Sequence, residues 1–135
     1  MRRIDIWFLL LAIICLVIGV SLGIWMGLSH DFQFAPVHAH LNLLGWTSLA
    51  LFGLVYRVYP ELGASPLARV HFALAAVGVL AFPVGIALSL ADVTIVVAVV
   101  GAFVWLAAVA TFLIQIILLA FRGTANPMTF AAPAE

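Results

Sequence analysis

The stretch IWFLLLAIICLVIGVSLGIWMGL, residues 6–28, contains 23 residues and no formal charge. A helix rises about 1.5 Å per residue, so this stretch is long enough to cross a hydrocarbon core about 30 Å thick. A secretory signal peptide would have a shorter apolar region and a small-x-small cleavage site. We therefore predict that this stretch is a retained transmembrane helix.

Three further uncharged stretches, 36–56, 70–90 and 93–121, are each long enough to cross a membrane. Within lipid, only helices and closed barrels satisfy the backbone, and these stretches do not alternate polar with apolar residues as barrel strands do. The predicted fold is an all-α membrane protein with four transmembrane helices. We expect a four-helix domain over residues 1–122 and a flexible cytoplasmic tail over residues 123–135.

The composition supports this class. The chain is 67% hydrophobic and 7% charged, which leaves too few polar residues to cover a soluble domain. It contains five arginines and no lysine, and no basic run forms a footprint for nucleic acid, so we expect no nucleic-acid partner. The single cysteine, Cys15, excludes an internal disulfide and is predicted to be a packed thiol.

The arginines predict the orientation. With four crossings, all five fall on one side of the membrane, which the positive-inside rule makes cytoplasmic: Arg2, Arg3, Arg57, Arg69 and Arg122. The connection between the first and second stretches and the connection between the third and fourth contain acidic residues and no arginine. We predict a multi-pass protein of a bacterial-type inner (plasma) membrane, surrounded by lipid, with both termini in the cytoplasm.

Two histidines open the second stretch, in the sequence HAHLNLLGW, residues 38–46. Residues two apart on an α-helix point about 200° apart, so His38 and His40 cannot readily bind one metal from one helix. Ionisable residues at membrane depth favour a functional role, and imidazole is a common ligand of haem iron, copper and zinc. His71, in contrast, is predicted to lie at the inner membrane surface.

Two other features predict contacts between helices. Gly19, Gly23 and Gly27 form two overlapping GxxxG units, which let another backbone approach closely, either within the protomer or between subunits. Gln115, deep in the fourth stretch, is expected to form a hydrogen bond to another helix.

The segment VHAHLNLLGWTSLALFGLVYRVYP, residues 37–60, resembles one helix of subunit I of the haem-copper oxidase superfamily, with the closest likeness to C-type cytochrome oxidases and nitric oxide reductases. The likeness is most specific at His38, His40, Gly45 and Trp46. It implies that the two histidines bind two different haems on opposite sides of the helix. Subunit I has three four-helix arcs, and this chain resembles one of them. A single protomer therefore lacks a complete dioxygen-reducing site, which leaves enzymatic activity open.

The resemblance implies a homotrimer in which each haem b lies between two subunits, held by His38 of one and His40 of the next. Gly45 would let a porphyrin approach, Trp46 would pack against its edge, and Asn42 would hydrogen-bond a haem substituent or a loop. His30 would approach the propionates or bind a metal at the outer rim. The acceptors that orient the two imidazoles would be backbone carbonyls, Ser29, Asp31 or Gln33. Iron held by two histidines favours electron transfer, with a redox protein or a quinone as partner.

Two alternatives remain open from the sequence. In the first, the protein binds copper, because Met26, His30, His38 and His40 all lie near the predicted outer face, and thioether with imidazole suits Cu(I). In the second, the chain is a structural or assembly subunit of a respiratory complex, and its histidines hold no metal.

Overall fold

A computed structural model of the chain describes residues 3–123. It contains four helices that are long and apolar enough to cross a membrane: the first span (Ile4–Ser29), the second span (Ala35–Val58), the third span (Pro66–Leu90) and the fourth span (Val96–Gly123). A short helix, Pro60–Ala64, precedes the third span, and the described range contains no strand. The prediction of an all-helical chain with four spans is confirmed, and these helices fit a multi-pass membrane protein.

Consecutive spans run antiparallel, which gives the bundle two distinct ends. At one end, called here the arginine end, Arg3, Arg57 and Arg69 line one cavity together. At the other, called the loop end, Nε2 of Gln33 donates a hydrogen bond of 3.0 Å to the backbone oxygen of Leu90, which joins the first connection to the end of the third span. These three arginines thus share one end, as their spacing predicts. The cytoplasmic location of that end remains a prediction.

The glycines of the first span bring it close to the second span. A Cβ atom at Gly19 would lie 2.8 Å from Nδ2 of Asn42, and one at Gly23 would lie 2.8 Å from Cε1 of His38. A Cβ atom at Gly27 would meet nothing within 4 Å. Of the two interpretations of the GxxxG units, Gly19 and Gly23 therefore follow the first, packing within the protomer.

The third and fourth spans approach each other even more closely. A Cβ atom at Gly101 would lie 2.6 Å from the backbone nitrogen of Phe82, and one at Gly85 would overlap the backbone of Ala98. Backbones in such contact require glycine, since any side chain would separate the helices. The third span continues as a helix through Pro83.

The core of the bundle is aromatic. Phe8 of the first span is fully buried, stacks on Tyr56 with ring centroids 5.5 Å apart, and meets Phe52 and Phe72 edge-on. Large apolar side chains remain exposed around the outside of all four spans. An apolar exterior of this kind suits contact with lipid or with further helices.

One boundary differs from the prediction, and one predicted segment lies almost entirely beyond the described range. The fourth span begins at Val96 rather than at residue 93, because residues 91–95 form the turn, in which Oγ1 of Thr94 accepts a hydrogen bond of 3.2 Å from the Val96 amide. Residues 124–135, which make up all but the first residue of the predicted tail, lie outside the described residues.

Candidate functional site

His38 faces the first span. Its Nδ1 lies 2.8 Å from the backbone oxygen of Gly19. Because a carbonyl oxygen only accepts, Nδ1 must carry the proton, which leaves the lone pair of the neutral ring on Nε2. The imidazole fits there because Gly23 has no side chain. The first span therefore fixes both the position and the tautomer of this ring.

His40 lies on the opposite side of the same helix, towards the third span. Its Nδ1 is 2.7 Å from the backbone oxygen of Pro36, one turn earlier, so it too carries the proton on Nδ1. The ring meets Phe82 of the third span edge-on, with centroids 4.8 Å apart. Both histidines lie in the α-helical part of the second span, Ala35–His40, so the angle of about 200° between them applies.

The two imidazoles share the protonation pattern that a metal ligand needs. In each, Nδ1 donates to a backbone carbonyl, and within residues 3–123 Nε2 has no hydrogen-bond partner. Both rings are half-buried, and neither Nε2 is among the sealed polar atoms of this range, so both atoms reach the surface of the protomer. Metal-binding histidines characteristically donate the other ring N–H in this way. Of the acceptors that the sequence suggested, backbone carbonyls are the ones in place.

Asn42 supports His38 from one turn further along the helix. Its Nδ2 donates a hydrogen bond of 2.8 Å to the backbone oxygen of His38 and lies 3.4 Å from the Nδ1 of the same residue. The amide packs over Gly19 in the first span. Asn42 is therefore engaged within the protomer and holds the helical turn on which His38 lies.

Gly45 and Trp46 both contact the interior of the protomer. A Cβ atom at Gly45 would lie 2.5 Å from Cβ of Cys15, so the missing side chain lets the first and second spans touch. The contact with Cys15 explains why glycine occupies this position, and the approach of a porphyrin is not needed to explain it. Trp46 is half-buried and packs against the hydrophobic core. Cys15 is buried, as the prediction of a packed thiol requires.

The segment that follows the two histidines, Leu41–Ser48, is π-helical. Oγ1 of Thr47 donates to the Asn42 carbonyl at 3.1 Å, and Oγ of Ser48 donates to the Leu43 carbonyl at 2.8 Å, in each case five residues earlier. Helical faces counted at 100° per residue therefore do not hold beyond His40. Stretches of π-helix inside α-helices occur frequently at functional sites.

His30 differs from His38 and His40 in its backbone conformation. It ends the first span in the left-handed region, with φ of 54°, and its side chain is exposed. Across residues 3–123, no three His, Cys, Asp or Glu side chains form a group that could hold a metal ion. A copper site built from three such ligands of one protomer is therefore not formed by the described residues.

A second histidine, His71, lies inside the protein rather than on its surface. It is fully buried among Phe8, Phe52 and Phe112, and its predicted depth at the inner membrane surface stays a prediction. Its Nδ1 is 2.8 Å from the hydroxyl oxygen of Tyr56, and that oxygen accepts a hydrogen bond of 2.9 Å from Nε2 of Gln115. The predicted hydrogen bond from Gln115 to another helix is confirmed.

The buried cluster of Tyr56, His71 and Gln115 joins the second, third and fourth spans. Nε2 of His71 is the sole side-chain nitrogen or oxygen in the described range that is sealed from the surface without a hydrogen-bond partner. Polar side chains inside apolar spans tend to pair with each other, and this is the signal in the sequence that indicates such a cluster. It does not indicate which residues pair, because that depends on how each helix is rotated.

Comparison with known proteins identifies no relative of this chain: no protein-family model, no curated protein and no solved structure matches it. The resemblance of residues 37–60 to haem-copper oxidase subunit I is therefore not supported by any relative. His38 and His40 are the residues whose geometry suits a cofactor.

Proposed function

We propose that this chain is an integral membrane protein that binds haem b through Nε2 of His38 and Nε2 of His40. The observation that carries the proposal is the matched state of the two rings, each of which donates Nδ1–H to a backbone carbonyl and presents Nε2 at the protomer surface. A haem iron takes neutral imidazole as an axial ligand, and an oriented ring loses less entropy on binding.

The divergence of the two rings supports haems shared between copies. His38 packs against Gly23 of the first span, and His40 packs against Phe82 of the third span, so the two rings lie on different sides of the second span. In the proposed assembly, His38 of one copy and His40 of the next hold one haem b. Head-to-tail contacts of this kind close into a ring, and we propose a homotrimer with three equivalent sites.

The proposed activity is electron transfer. A haem held by His38 and His40 would supply one-electron chemistry. The four apolar spans keep water away from such a site, and Asn42 stabilises the turn that holds His38. A redox protein or a membrane quinone is the corresponding partner.

The test is the absorption spectrum of the full chain purified in detergent, before and after dithionite. We expect a low-spin haem b spectrum, about one haem per chain by the proposed assembly, and a trimer by native mass spectrometry. His38→Ala and His40→Ala should each abolish the haem, whereas His30→Ala should retain it because His30 lies outside the proposed ligand pair.

Three results would contradict the proposal. Haem retained in both the His38→Ala and the His40→Ala variants would exclude these residues as ligands. Copper without iron in the purified protein would favour the copper-binding alternative, since a free imidazole nitrogen also suits copper. A colourless, metal-free chain that co-purifies with a respiratory complex would favour the assembly-subunit alternative.

A further inference from the structure

A cavity of about 350 Å³ opens at the arginine end of the bundle, far along the second span from the two candidate ligands. It lies where the first and third spans begin and the second span ends, and the short helix Pro60–Ala64 forms one wall. Its volume falls within the range of small-molecule sites. Tyr56 of the buried cluster also lines it, but the charged residues of the lining belong neither to that cluster nor to the proposed haem sites.

The lining of this cavity is positively charged. Arg3, Arg57 and Arg69 reach it from three different segments, and Asp5 is the one acidic residue among its described lining. Nη1 of Arg57 lies 3.6 Å from Oδ2 of Asp5, which is the only ion pair among the described side chains of residues 3–121. Arg3 and Arg69 therefore have no acidic partner in that range, and three guanidinium groups against one carboxylate leave a net charge of about +2.

The start of the first span adds to this potential. Arg3 occupies the N-cap position, and no side chain there accepts a hydrogen bond from the first turn. The free amides and the helix dipole place partial positive charge at the same cavity. The remaining lining consists of Ile4, Tyr56, Pro60, Gly63 and Ala64, and apart from the tyrosine it carries no polar side chain. The cavity thus combines a positively charged part with a part that is mainly apolar.

We infer that this cavity binds the phosphate group of an anionic ligand, either the headgroup of an acidic phospholipid or a soluble phosphate. Arg3 and Arg69 make charge-assisted hydrogen bonds to the phosphate oxygens, for which the guanidinium fork is well shaped. Arg57 is partly neutralised by Asp5 and contributes less. Basic pockets between spans on the cytoplasmic side of membrane proteins bind acidic headgroups by the same chemistry.

The test measures lipid binding to the full chain in nanodiscs that contain phosphatidylcholine and phosphatidylglycerol, with bound lipids counted by native mass spectrometry. Each basic residue at such a surface contributes about a factor of five, so the preference for phosphatidylglycerol should fall about thirtyfold in the double variant Arg3→Gln/Arg69→Gln. Both arginines are exposed, so their replacement leaves the core intact.

A substitution that increases binding distinguishes an effect on the site from damage to the fold, because damage would lower binding. Asp5→Asn removes the one acidic group of the lining and should increase phosphatidylglycerol binding about fivefold. Glu61→Gln is the matched control, because it makes the same change of charge at an exposed residue of the short helix that does not line the cavity. We expect Glu61→Gln to change binding less than twofold, about the size of a screened surface effect.

A second arm distinguishes the two sources of phosphate by adding inorganic phosphate. Displacement of phosphatidylglycerol by phosphate assigns recognition to the phosphate group itself, and resistance to displacement assigns the site to the lipid. Binding of phosphate without any preference for phosphatidylglycerol assigns it to a soluble anion. The inference is overturned if neither probe binds, or if the binding does not depend on Arg3 and Arg69.

Discussion

Two regions of the bundle contain histidine, and they differ in where the unbonded ring nitrogen lies. At His38 and His40, the backbone satisfies Nδ1 and Nε2 reaches the surface of the protomer. At His71, Tyr56 lies 2.8 Å from Nδ1, and Nε2 is enclosed by aromatic rings. A lone pair at the surface is able to bind a metal that a neighbouring copy also binds. The enclosed Nε2 of His71 has no such access, and it is Nδ1 that joins the third span to the second, through Tyr56.

The largest expected contrast compares one histidine from each region. His40→Phe should remove all haem absorbance, because phenylalanine fills a similar volume and has no metal-binding nitrogen. His71→Phe should leave the haem content unchanged, since this ring lies inside a cluster of phenylalanines. The measurement is the haem-to-protein ratio after purification. Loss of haem in the His71→Phe variant alone would reverse the assignment of the two regions.

A second prediction concerns the space that Gly23 leaves for His38. In Gly23→Ala, the new Cβ atom would lie 2.8 Å from Cε1 of His38, so the ring must shift and its bond to Gly19 must weaken. Loss of an orienting partner lowers metal affinity about 10–100-fold, and we expect haem affinity to fall within this range. The measurement is haem titration of the metal-free chain.

Gly27→Ala is the matched control for that prediction, because the same methyl group would enter open space. It should bind haem as the unmodified chain does. Equal affinities for the two variants would show that the contact between Gly23 and His38 does not position the ligand.

A third prediction tests whether the cluster around His71 is structural. Tyr56→Phe removes the hydroxyl that lies between His71 and Gln115 and leaves two buried polar groups without that partner. The free energy of unfolding in detergent should fall by about 1–3 kcal/mol, with unchanged haem content. Tyr59→Phe is the control, because Tyr59 is exposed and its hydroxyl has no hydrogen bond in the described range. A drop in haem content for Tyr56→Phe would link the two regions.

The smallest effect is expected for Asn42→Ala. It removes one hydrogen bond to the His38 carbonyl and keeps the bond from His38 to Gly19. Hydrogen bonds between membrane-embedded side chains contribute about 0.6 kcal/mol on average, so haem affinity should fall about threefold. Complete loss of haem would instead favour direct contact of Asn42 with the haem, which is the role that the oxidase resemblance implied.

Much of the bundle was predictable because membrane insertion depends on local composition. The four uncharged stretches predicted the four spans to within a few residues, and the spacing of the arginines predicted a shared end for Arg3, Arg57 and Arg69. The His-x-His spacing predicted two divergent rings, and the structure has them against different helices. These inferences need only helix geometry and the properties of lipid.

Other features of the candidate site were not predictable from local patterns. The π-helical segment Leu41–Ser48 interrupts a pattern that is compatible with a regular α-helix. The burial of His71 depends on the rotation of the third span relative to Tyr56 and Gln115. The proton on Nδ1 of His38 depends on a carbonyl 19 residues away, which no local pattern identifies.

The sequence by itself determined the number of spans, their order and the divergence of the two histidines, because each follows from hydrophobicity and from the rotation per residue of a helix. Only the tertiary structure decided which imidazole nitrogen is available and which histidine is enclosed. Those outcomes depend on the atoms that a neighbouring helix places within about 3 Å of the ring, and the rotation of that helix is set by packing, at contacts such as those of Gly19, Gly23 and Gly45.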